Sequence, residues 1–390
     1  MPVPEKDGEV ILITGGSGFL GQHLVKLLQE RDDNCKEIRI VDLVSYTNHL
    51  DHSETKPIVS FIGDICEPET IEKAFQGVDC VFHCAAFINF QFPSDLTELE
   101  RVNVNGTKNI INLCVKYSIP RLIYTSTSAV TILPYMGRAT FALVINQTES
   151  KAKTPSTDSG FLIPGYSSSK LRAEKIVLAA YGATLGNHVD EMLTVALRPT
   201  MMYGEEDYKF MPTIMKVAHN FNQQIPKLFG QGGKHQITYV GNVAWAHIRA
   251  KDTLKREPKK IAGLPVFITD DTPIEDTTRF CQRISRATNT LKLRPTWWSV
   301  PAFFTYFIAF MLEFFVQLAN RLYSGVKLSF QPRALVAYSS SIIMFSRLRA
   351  SIHLDYEPIF TEDKSIQNSA SWYEKWYNDY ALAKNSKKNS

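Results

Sequence analysis

The chain has 390 residues, with 43 Lys and Arg against 39 Asp and Glu, 44% hydrophobic residues and 21% charged residues. Domains average about 150 residues, so this length predicts two or three folding units, or one large α/β domain with an attached lobe. The composition excludes a wholly disordered chain. A net charge of +4 is too small for an electrostatic nucleic-acid binder, and we expect no nucleic-acid partner.

Cysteine content and the start of the chain exclude two further classes. Six cysteines are too few for a disulfide scaffold, and their spacing matches no zinc pattern, so we expect reduced, mostly structural thiols and no metal site. Residues 1–9 are polar and lack the apolar run of a secretory signal. We therefore expect the start of the chain to be cytosolic and part of the fold.

The first half of the chain alternates short β-branched runs with amphipathic segments. Strands are predicted at residues 10–14, 37–42, 58–63, 78–83, 121–126 and 193–198. Helices are predicted at residues 18–30, 69–75, 103–117 and 166–182. Parallel strands need crossover connections, which are usually helices, so this order predicts an α/β fold with a Rossmann-type doubly wound parallel sheet.

The pattern changes twice further along. Residues 133–160 are rich in Pro, Gly, Ser and Thr, which predicts a surface loop. After about residue 200 the alternation weakens. We assign residues 1–200 to a dinucleotide-binding domain and residues 201–383 to a smaller, mixed substrate lobe. Residues 384–390 read as a basic, flexible tail.

A glycine-rich turn joins the first predicted strand to the first predicted helix. In this pattern Gly15 permits the tight turn, Gly18 allows backbone to approach a pyrophosphate, and Gly21 allows close packing of the helix on the sheet. Asp42 ends the next strand, where a carboxylate binds an adenosine ribose and repels a 2′-phosphate. The sequence therefore predicts NAD rather than NADP. The residues expected to bind it here are Gly15, Gly18, Phe19, Leu20, Gly21 and Asp42.

A tyrosine and a lysine open the last helix of this domain. Tyr166 and Lys170 are four residues apart, so they share one helix face and the ammonium can lie beside the phenol. A nearby cation lowers the pKa of a tyrosine, which can then accept the proton of a substrate alcohol while hydride leaves for a nicotinamide. Hydroxyls at residues 125–128, where the fifth strand ends, lie at the edge at which ligands bind in such sheets.

Together these motifs resemble the extended short-chain dehydrogenase/reductases, and within them the 3β-hydroxysteroid dehydrogenase/isomerase family. The resemblance runs from about residue 10 to about residue 380. The stretches that carry it are TGGSGFLG (14–21), GDI (63–65), HCAA (83–86), NVNGT (103–107), YTST (124–127), YSSSK (166–170), YVGNVAWAH (239–247) and TDDTP (269–273).

The resemblance implies catalytic roles by position. Tyr166 matches the catalytic tyrosine, and Lys170 matches the lysine that lowers its pKa and holds the nicotinamide ribose. Ser126 or Thr127 matches the residue that holds the substrate hydroxyl, with Ser126 preferred. Asn103 resembles the asparagine that supports the active-site helix.

Further cofactor contacts follow from the same resemblance. Asp64 and Ile65 resemble the pair that contacts the adenine, and Ala85 lies in the cofactor loop. His83 is interpreted as a structural residue of that loop rather than a base, because Tyr166 already fills the proton-transfer role.

The implied activity is NAD-dependent oxidation of the 3β-hydroxyl of a steroid or sterol. Some family members also shift a double bond from Δ5 to Δ4, and Asp270 with Asp271 matches a carboxylate pair proposed for that step. The family's tyrosine just before this pair is replaced by Val266 or Phe267. On turn chemistry alone, residues 270–273 read as a solvated turn, so the isomerase step stays open.

Three other functions remain open on the sequence. Sterol-4α-carboxylate 3-dehydrogenases share the fold, the cofactor and the Tyr/Lys pair. Nucleotide-sugar epimerases and dehydratases share the first 200 residues but need cations for a substrate diphosphate. A non-catalytic, NAD-binding redox sensor is the third. Cations available in the second lobe are Lys209, Lys216, Lys227, Lys234 and Arg249.

Residues 298–320 concentrate the apolar composition, with six of the 23 Phe between positions 303 and 315. The length approaches the roughly 20 residues that span a bilayer, but Glu313 in its centre opposes a span. A single crossing would also separate residues 346–390 from Tyr166. We therefore expect an interfacial helix rather than a single span or a buried lobe helix. The resemblance places the protein at the endoplasmic reticulum, with the mitochondrion as alternative, its catalytic domain facing the cytosol, and leaves a homodimer open.

Overall fold

A computed structural model describes residues 8–135, 140–230, 232–323 and 325–386. Its strands are β1 (Glu9–Thr14), β2 (Cys35–Asp42), β3 (Ile58–Ile62), β4 (Cys80–His83), β5 (Arg121–Thr125), β6 (Leu143–Gln147), β7 (Leu193–Pro199), β8 (Met201–Tyr203), β9 (Gln224–Lys227), β10 (Lys234–His235), β11 (Ile237–Tyr239), β12 (Leu264–Ile268), β13 (Arg294–Ser299) and β14 (Ile342–Phe345).

Helices fill most of the intervals between these strands. They are α1 (Phe19–Arg31), α2 (Pro68–Ile71), α3 (Leu96–Leu99), α4 (Thr107–Lys116), α5 (Tyr166–Ala179), α6 (Phe210–Asn220), α7 (Val240–Arg256), α8 (Thr277–Arg286), α9 (Ala302–Leu322), α10 (Pro332–Ser339), α11 (Leu348–His353) and α12 (Glu362–Ser386). A π-helical segment, Glu100–Gly106, joins α3 to α4.

Seven strands form one parallel sheet in the order β12-β7-β5-β4-β1-β2-β3. The order reverses direction between β1 and β4, which is where ligands bind in doubly wound sheets. The predicted α/β fold and all six predicted strands are confirmed, with small shifts of their ends. β1, β4 and β5 are buried from end to end, and β7 is buried in all but its first residue, as expected for a parallel sheet covered on both faces.

Two predictions, one for residues 201–383 and one for residues 133–160, are wrong in part. β12 pairs with β7 and is the seventh strand of the main sheet, so the chain returns to the first domain after residue 200. Part of the predicted loop at 133–160 forms β6, which pairs with β14 in a three-stranded sheet β10-β14-β6. β6 is short and its partner strand β14 lies some 200 residues away in the sequence, so no local sequence pattern predicts it. Residues 136–139 lie outside the described part of the chain.

The predicted tail and the apolar helix also differ in their limits. α12 continues through Ser386, so the first three residues of the predicted tail are helical, and residues 387–390 lie outside the described part. The apolar helix is α9, and the residues just before it belong to β13 rather than to the helix. Within the described residues, α9 is the one helix long and apolar enough to span a membrane by length and composition.

A buried charge cluster joins α7 to the main sheet. The Lys251 ammonium is fully buried and lies 2.9 Å from a carboxylate oxygen of Asp32, 2.9 Å from one of Asp252 and 3.2 Å from one of Glu9. These carboxylates come from the end of α1, from α7 and from the start of β1. One ammonium therefore fixes three elements to one another.

Replacing Lys251 by Ala should lower the free energy of unfolding by about 3–5 kcal/mol, because it leaves buried carboxylates without their cation. The matched control is Lys255→Ala. Lys255 also pairs with Glu9 but is 52% exposed, so its loss should cost at most about 1 kcal/mol. Urea unfolding followed by circular dichroism measures both, and equal losses would contradict the assigned role of Lys251.

Candidate active site

The turn between β1 and α1 has no room for side chains at two glycines. A Cβ on Gly21 would lie 2.3 Å from the carbonyl oxygen of Gly15, and one on Gly15 would lie 2.8 Å from the amide nitrogen of Ala85. Gly15 also has φ +75°, which favours glycine. The third glycine of the motif, Gly18, is the N-cap of α1, and a Cβ there would meet only the Gly15 carbonyl oxygen, at 3.4 Å.

The start of α1 is left without a side-chain cap. The first N–H groups of a helix have no partner within the helix and carry a partial positive charge, which suits a diphosphate. Phe19 and Leu20 are the first two helical residues, so their N–H groups are in this position. Gly18, which has no side chain, lets such a ligand approach the backbone at this point.

Asp42 ends β2 beside this turn. One of its carboxylate oxygens accepts a hydrogen bond from the Ser17 amide at 3.0 Å, and the other accepts from the Leu43 amide at 2.7 Å. The carboxylate is therefore held against the glycine turn, and its contact with ribose hydroxyls stays a prediction.

Asp64 and Ile65 follow β3 at the same sheet edge. Asp64 forms an ion pair with Arg101, with 3.1 Å between nitrogen and oxygen. Ile65 is buried and packs on Gly106, where a Cβ would lie only 2.7 Å from its side chain. Asp64 and Ile65, which are predicted to contact an adenine, are thus held in place at this edge of the sheet.

His83 is fully buried at the end of β4 and is bonded through both ring nitrogens. Thr107 donates its hydroxyl to the Asn103 carbonyl, so it accepts from His83 Nε2 at 2.9 Å, and Nδ1 accepts from Thr14 at 2.7 Å. Burial lowers the pKa of His83 to about 3. A neutral imidazole with both nitrogens engaged fits the structural role predicted for it rather than that of a base.

Tyr166 and Lys170 lie on the first turns of α5, against the end of β5. The Lys170 Nζ donates a 2.7 Å hydrogen bond to the carbonyl of Thr125 and lies 4.3 Å from the ring centroid of Tyr124. Burial lowers the pKa of Lys170 to about 7. The Tyr166 ring meets Phe90 edge-on, with 5.2 Å between centroids.

The pKa of Tyr166 differs from the sequence expectation. A lowered pKa was predicted from the neighbouring ammonium, whereas burial raises the pKa of this phenol. The reason is that Lys170 is drawn to the Thr125 carbonyl and the Tyr124 ring, while the Tyr166 hydroxyl lies in an enclosed, poorly solvated place.

The hydroxyl groups of residues 125–127, at the end of β5, form different hydrogen bonds. The Ser126 hydroxyl is buried and donates to Glu174 at 2.6 Å, and the Thr125 hydroxyl lies 2.8 Å from His247. Thr127 is only partly buried, and its oxygen accepts from the Ala129 amide at 3.2 Å, which leaves its proton available to a ligand. The structure therefore favours Thr127 over Ser126, contrary to the preference drawn from sequence.

Asn103 links the π-helical segment to α5. Its side-chain nitrogen donates to the Ser169 hydroxyl at 2.9 Å and to the Phe87 carbonyl at 3.0 Å, and its oxygen accepts from the Phe87 amide. Ser169 in turn donates to the Tyr166 carbonyl. Asn103 thus supports the first turn of α5, as predicted.

The Asp270–Asp271 pair is divided between one buried carboxylate and one that is 69% exposed. Asp270 is only 7% exposed and accepts hydrogen bonds from the Tyr239 amide at 2.8 Å and the Asn242 side chain at 3.0 Å. It therefore caps the start of α7. Asp271 is paired with Arg347, 2.9 Å apart.

Sequence reasoning missed a connection between α9 and Tyr166 that runs through two loops. After α9, residues 325–331 form a short segment, which we call the strap. The strap packs against residues 86–94, which we call the active-site loop. Phe92 and Leu328 exchange two backbone hydrogen bonds of 3.0 and 2.8 Å, and Gln331 donates to the Ser94 hydroxyl at 3.0 Å. The same loop carries Phe90, which contacts Tyr166, so the loop links the segment after α9 to Tyr166.

The cations of the second lobe are engaged at separate places. Lys209 donates to the Ile88 carbonyl in the active-site loop, Lys216 lies over a tryptophan ring on α12, and Arg249 pairs with Asp355 at 2.6 Å. Lys227 and Lys234 are on β9 and β10.

Comparison with known proteins gives one family and one fold. Residues 12–298 match the 3-beta hydroxysteroid dehydrogenase/isomerase family. An epimerase, Mth375, from Methanothermobacter thermautotrophicus superposes with a TM-score of 0.67 at 18% identity, covering 97% of this chain and 95% of that one. The structure of dTDP-glucose 4,6-dehydratase from Bacillus anthracis in complex with NAD superposes with a TM-score of 0.63 at 18% identity, covering 94% and 97%.

A third structure, MoeE5 in complex with UDP-glucuronic acid and NAD, superposes with a TM-score of 0.65 at 17% identity, covering 94% of this chain and 99% of that one. At these identities the likeness shows the fold.

Replacing Gly18 by Ala tests the dinucleotide cradle. An added Cβ would meet only the Gly15 carbonyl, at an ordinary 3.4 Å, so the melting temperature should stay within about 2 °C while NAD binds roughly tenfold more weakly or worse. Calorimetric titration with NAD measures the affinity. The comparison variant Gly21→Ala should lose stability, because its Cβ meets backbone. Unchanged NAD affinity in Gly18→Ala would contradict a diphosphate at this turn.

Proposed function

The chain belongs to the 3-beta hydroxysteroid dehydrogenase/isomerase family, and we propose that it oxidises the 3β-hydroxyl of a membrane-borne sterol to the ketone with NAD. The observation that carries this proposal is the position of Tyr166 and Lys170. They lie against the end of β5, at the sheet edge where the glycine turn and Asp42 form a cradle that fits a dinucleotide.

NAD bound in this cradle would supply the acceptor for the hydride of the carbinol carbon. The N–H groups at the start of α1 would hold its diphosphate, Asp42 would bind the adenosine ribose, and Lys170 would bind the nicotinamide ribose. Tyr166 would accept the alcohol proton as its phenolate. Burial raises the pKa of this phenol, and the Lys170 ammonium together with the cationic nicotinamide ring of bound NAD would oppose that rise. Thr127 donates a hydrogen bond to the substrate oxygen and holds it against Tyr166.

An apolar substrate is supported by the surroundings of Tyr166. The active-site loop presents Phe90 to the tyrosine and is joined through the strap to α9, whose outward Phe303 and Phe307 are more than 60% exposed. A sugar nucleotide would need several cations at one place, whereas Lys209, Lys216 and Arg249 are held by different elements. We therefore favour a sterol over a nucleotide sugar.

The mode of membrane attachment follows from how α9 is held. Glu313, the residue that opposes a span, is only 4% exposed, and its carboxylate accepts from the Arg333 amide at 2.8 Å and pairs with its guanidinium at 2.6 Å. The charge therefore faces α10, and the outer face of α9 is free of it. Such a helix suits the headgroup–acyl boundary of a bilayer.

A crossing of the bilayer is disfavoured because both flanks of α9 return to the same folded body. Val300 donates to the Lys227 carbonyl just before α9, and Leu328 pairs with Phe92 just after it. A buried lobe helix is excluded by its exposed Phe residues. We propose a protein that rests on the cytosolic surface of the endoplasmic reticulum with its active site next to the lipid.

The geometry supports the oxidation without the Δ5-to-Δ4 shift. That step needs a free acid and base near the ring, whereas Asp270 caps α7 and Asp271 pairs with Arg347. A dehydrogenase of 4α-carboxylated sterols, whose keto product loses CO2 without further catalytic groups, fits the same site. The two differ only in substrate.

Tyr166→Phe should lower kcat for the oxidation by about 10²–10⁴, because it removes the proton acceptor, while the affinity for NAD stays within about twofold of wild type. The assay is NADH absorbance with a 3β-hydroxysterol in phosphatidylcholine vesicles. A redox sensor predicts the opposite result: no turnover in the wild type, and nucleotide-dependent behaviour that survives in Tyr166→Phe.

Placing two charges on the outer face of α9 tests the attachment. The variant Phe307→Glu with Phe314→Glu should bind vesicles of phosphatidylcholine and phosphatidylserine at least tenfold more weakly, because glutamates are costly at the acyl boundary. Val189→Glu is the matched control, since Val189 is 83% exposed in the loop before β7, far along the chain from α9. Equal flotation of all three proteins with vesicles would contradict the proposal.

A further inference from the structure

One face of α5 grips the end of β5 at successive helical turns. Tyr166, Lys170 and Glu174 are spaced four residues apart and therefore lie in one row. Lys170 bonds the Thr125 carbonyl at 2.7 Å, and Glu174 accepts from the Ser126 hydroxyl at 2.6 Å. The third member of the row, Glu174, has no part in the chemistry described above.

Glu174 is fully engaged in a buried ion pair. It is 1% exposed, and its oxygens accept from Arg198 Nε at 2.9 Å and Nη2 at 2.5 Å. Arg198 comes from β7, and its guanidinium lies 5.5 Å from the ring centroid of Phe267 on β12. The pair therefore ties α5 to β5 and β7 directly behind Lys170.

The titratable groups that face Lys170 come from three elements: Tyr166 and Glu174 on α5, Tyr124 on β5, and His83 and Cys84 at the end of β4. Burial lowers the pKa of His83 to about 3, raises that of Cys84 to about 12 and raises those of both tyrosines, so these four are neutral near pH 7. Of these five groups, Glu174 is the one negative charge that opposes the desolvation of Lys170.

We propose that Glu174 and Arg198 are positioning residues of the reaction, which hold the Lys170 ammonium in its charged form and fix the end of β5 beside Tyr166. The inference rests on the proposed function. Removing the carboxylate takes away the anion that faces Lys170 and leaves its partner cation, Arg198, uncompensated, whereas removing the guanidinium leaves Lys170 facing an uncompensated anion. The two changes therefore act on Lys170 with opposite sign.

The test is the pH dependence of kcat for NAD-dependent oxidation of a 3β-hydroxysterol in phosphatidylcholine vesicles, measured from pH 6 to pH 10. Glu174→Gln should lower the pH at which activity declines on the alkaline side by about one unit, and Arg198→Met should raise it by a similar amount. A purely structural pair predicts lower kcat in both variants and no opposite displacement. Shifts in one direction, or none, in folded variants would overturn the proposal.

The matched control is Arg172→Met, on the outer side of the same helix, where Arg172 pairs with Glu100 and is 49% exposed. Its pH profile should coincide with that of the wild type. Wild-type protein that forms no NADH would refute the proposed function, whereas turnover without opposite shifts would refute this inference alone.

Because loss of one partner of a buried ion pair is strongly destabilising, Glu174→Asp provides a milder variant. It keeps the charge but draws the carboxylate back by one methylene. The alkaline decline should move in the same direction as in Glu174→Gln, by less. An unchanged profile in folded Glu174→Asp would overturn the proposal.

Discussion

The hydrogen bond from the Lys170 ammonium to the Thr125 carbonyl joins the catalytic helix to the centre of the sheet. It fixes α5 in register with β5, so that Tyr166 lies one turn earlier and Glu174 one turn later on the same face. The ammonium lies in a buried environment, and this burial lowers the pKa of Lys170 to about 7. The site thus depends on a charge that the fold must hold in place.

The cofactor side and the substrate side of the proposed site expose different kinds of surface. On the nucleotide side, polar backbone groups are left without side-chain partners, because the start of α1 is uncapped. Gly15 and Gly21 leave no room for side chains there, and Asp42 is held beside them. On the substrate side, apolar surface is exposed, and the one acidic residue in α9, Glu313, is turned inward to Arg333. Hydride transfer between a charged cofactor and a lipid alcohol needs both kinds of surface at one sheet edge.

Much of this arrangement could be predicted from the sequence, because it depends on local patterns. The strands of the main sheet, the glycine turn and the Tyr166–Lys170 pair are all written in short segments with fixed spacing. Predictions were wrong where the structure of a segment depends on residues far away in the sequence. β6 forms only because β14 lies beside it, and Asp270 is buried because it caps α7. The choice between Ser126 and Thr127 depends on Glu174, which no motif at residues 124–127 reveals.

The most direct test uses purified protein in phosphatidylcholine vesicles that contain a 3β-hydroxysterol deuterated at C3, with NAD as the added cofactor. The account predicts that deuterium appears in the reduced nicotinamide and that the sterol product is the 3-ketone with its double bond unmoved. Absence of labelled NADH with every sterol offered, together with turnover of a UDP-sugar, would contradict it.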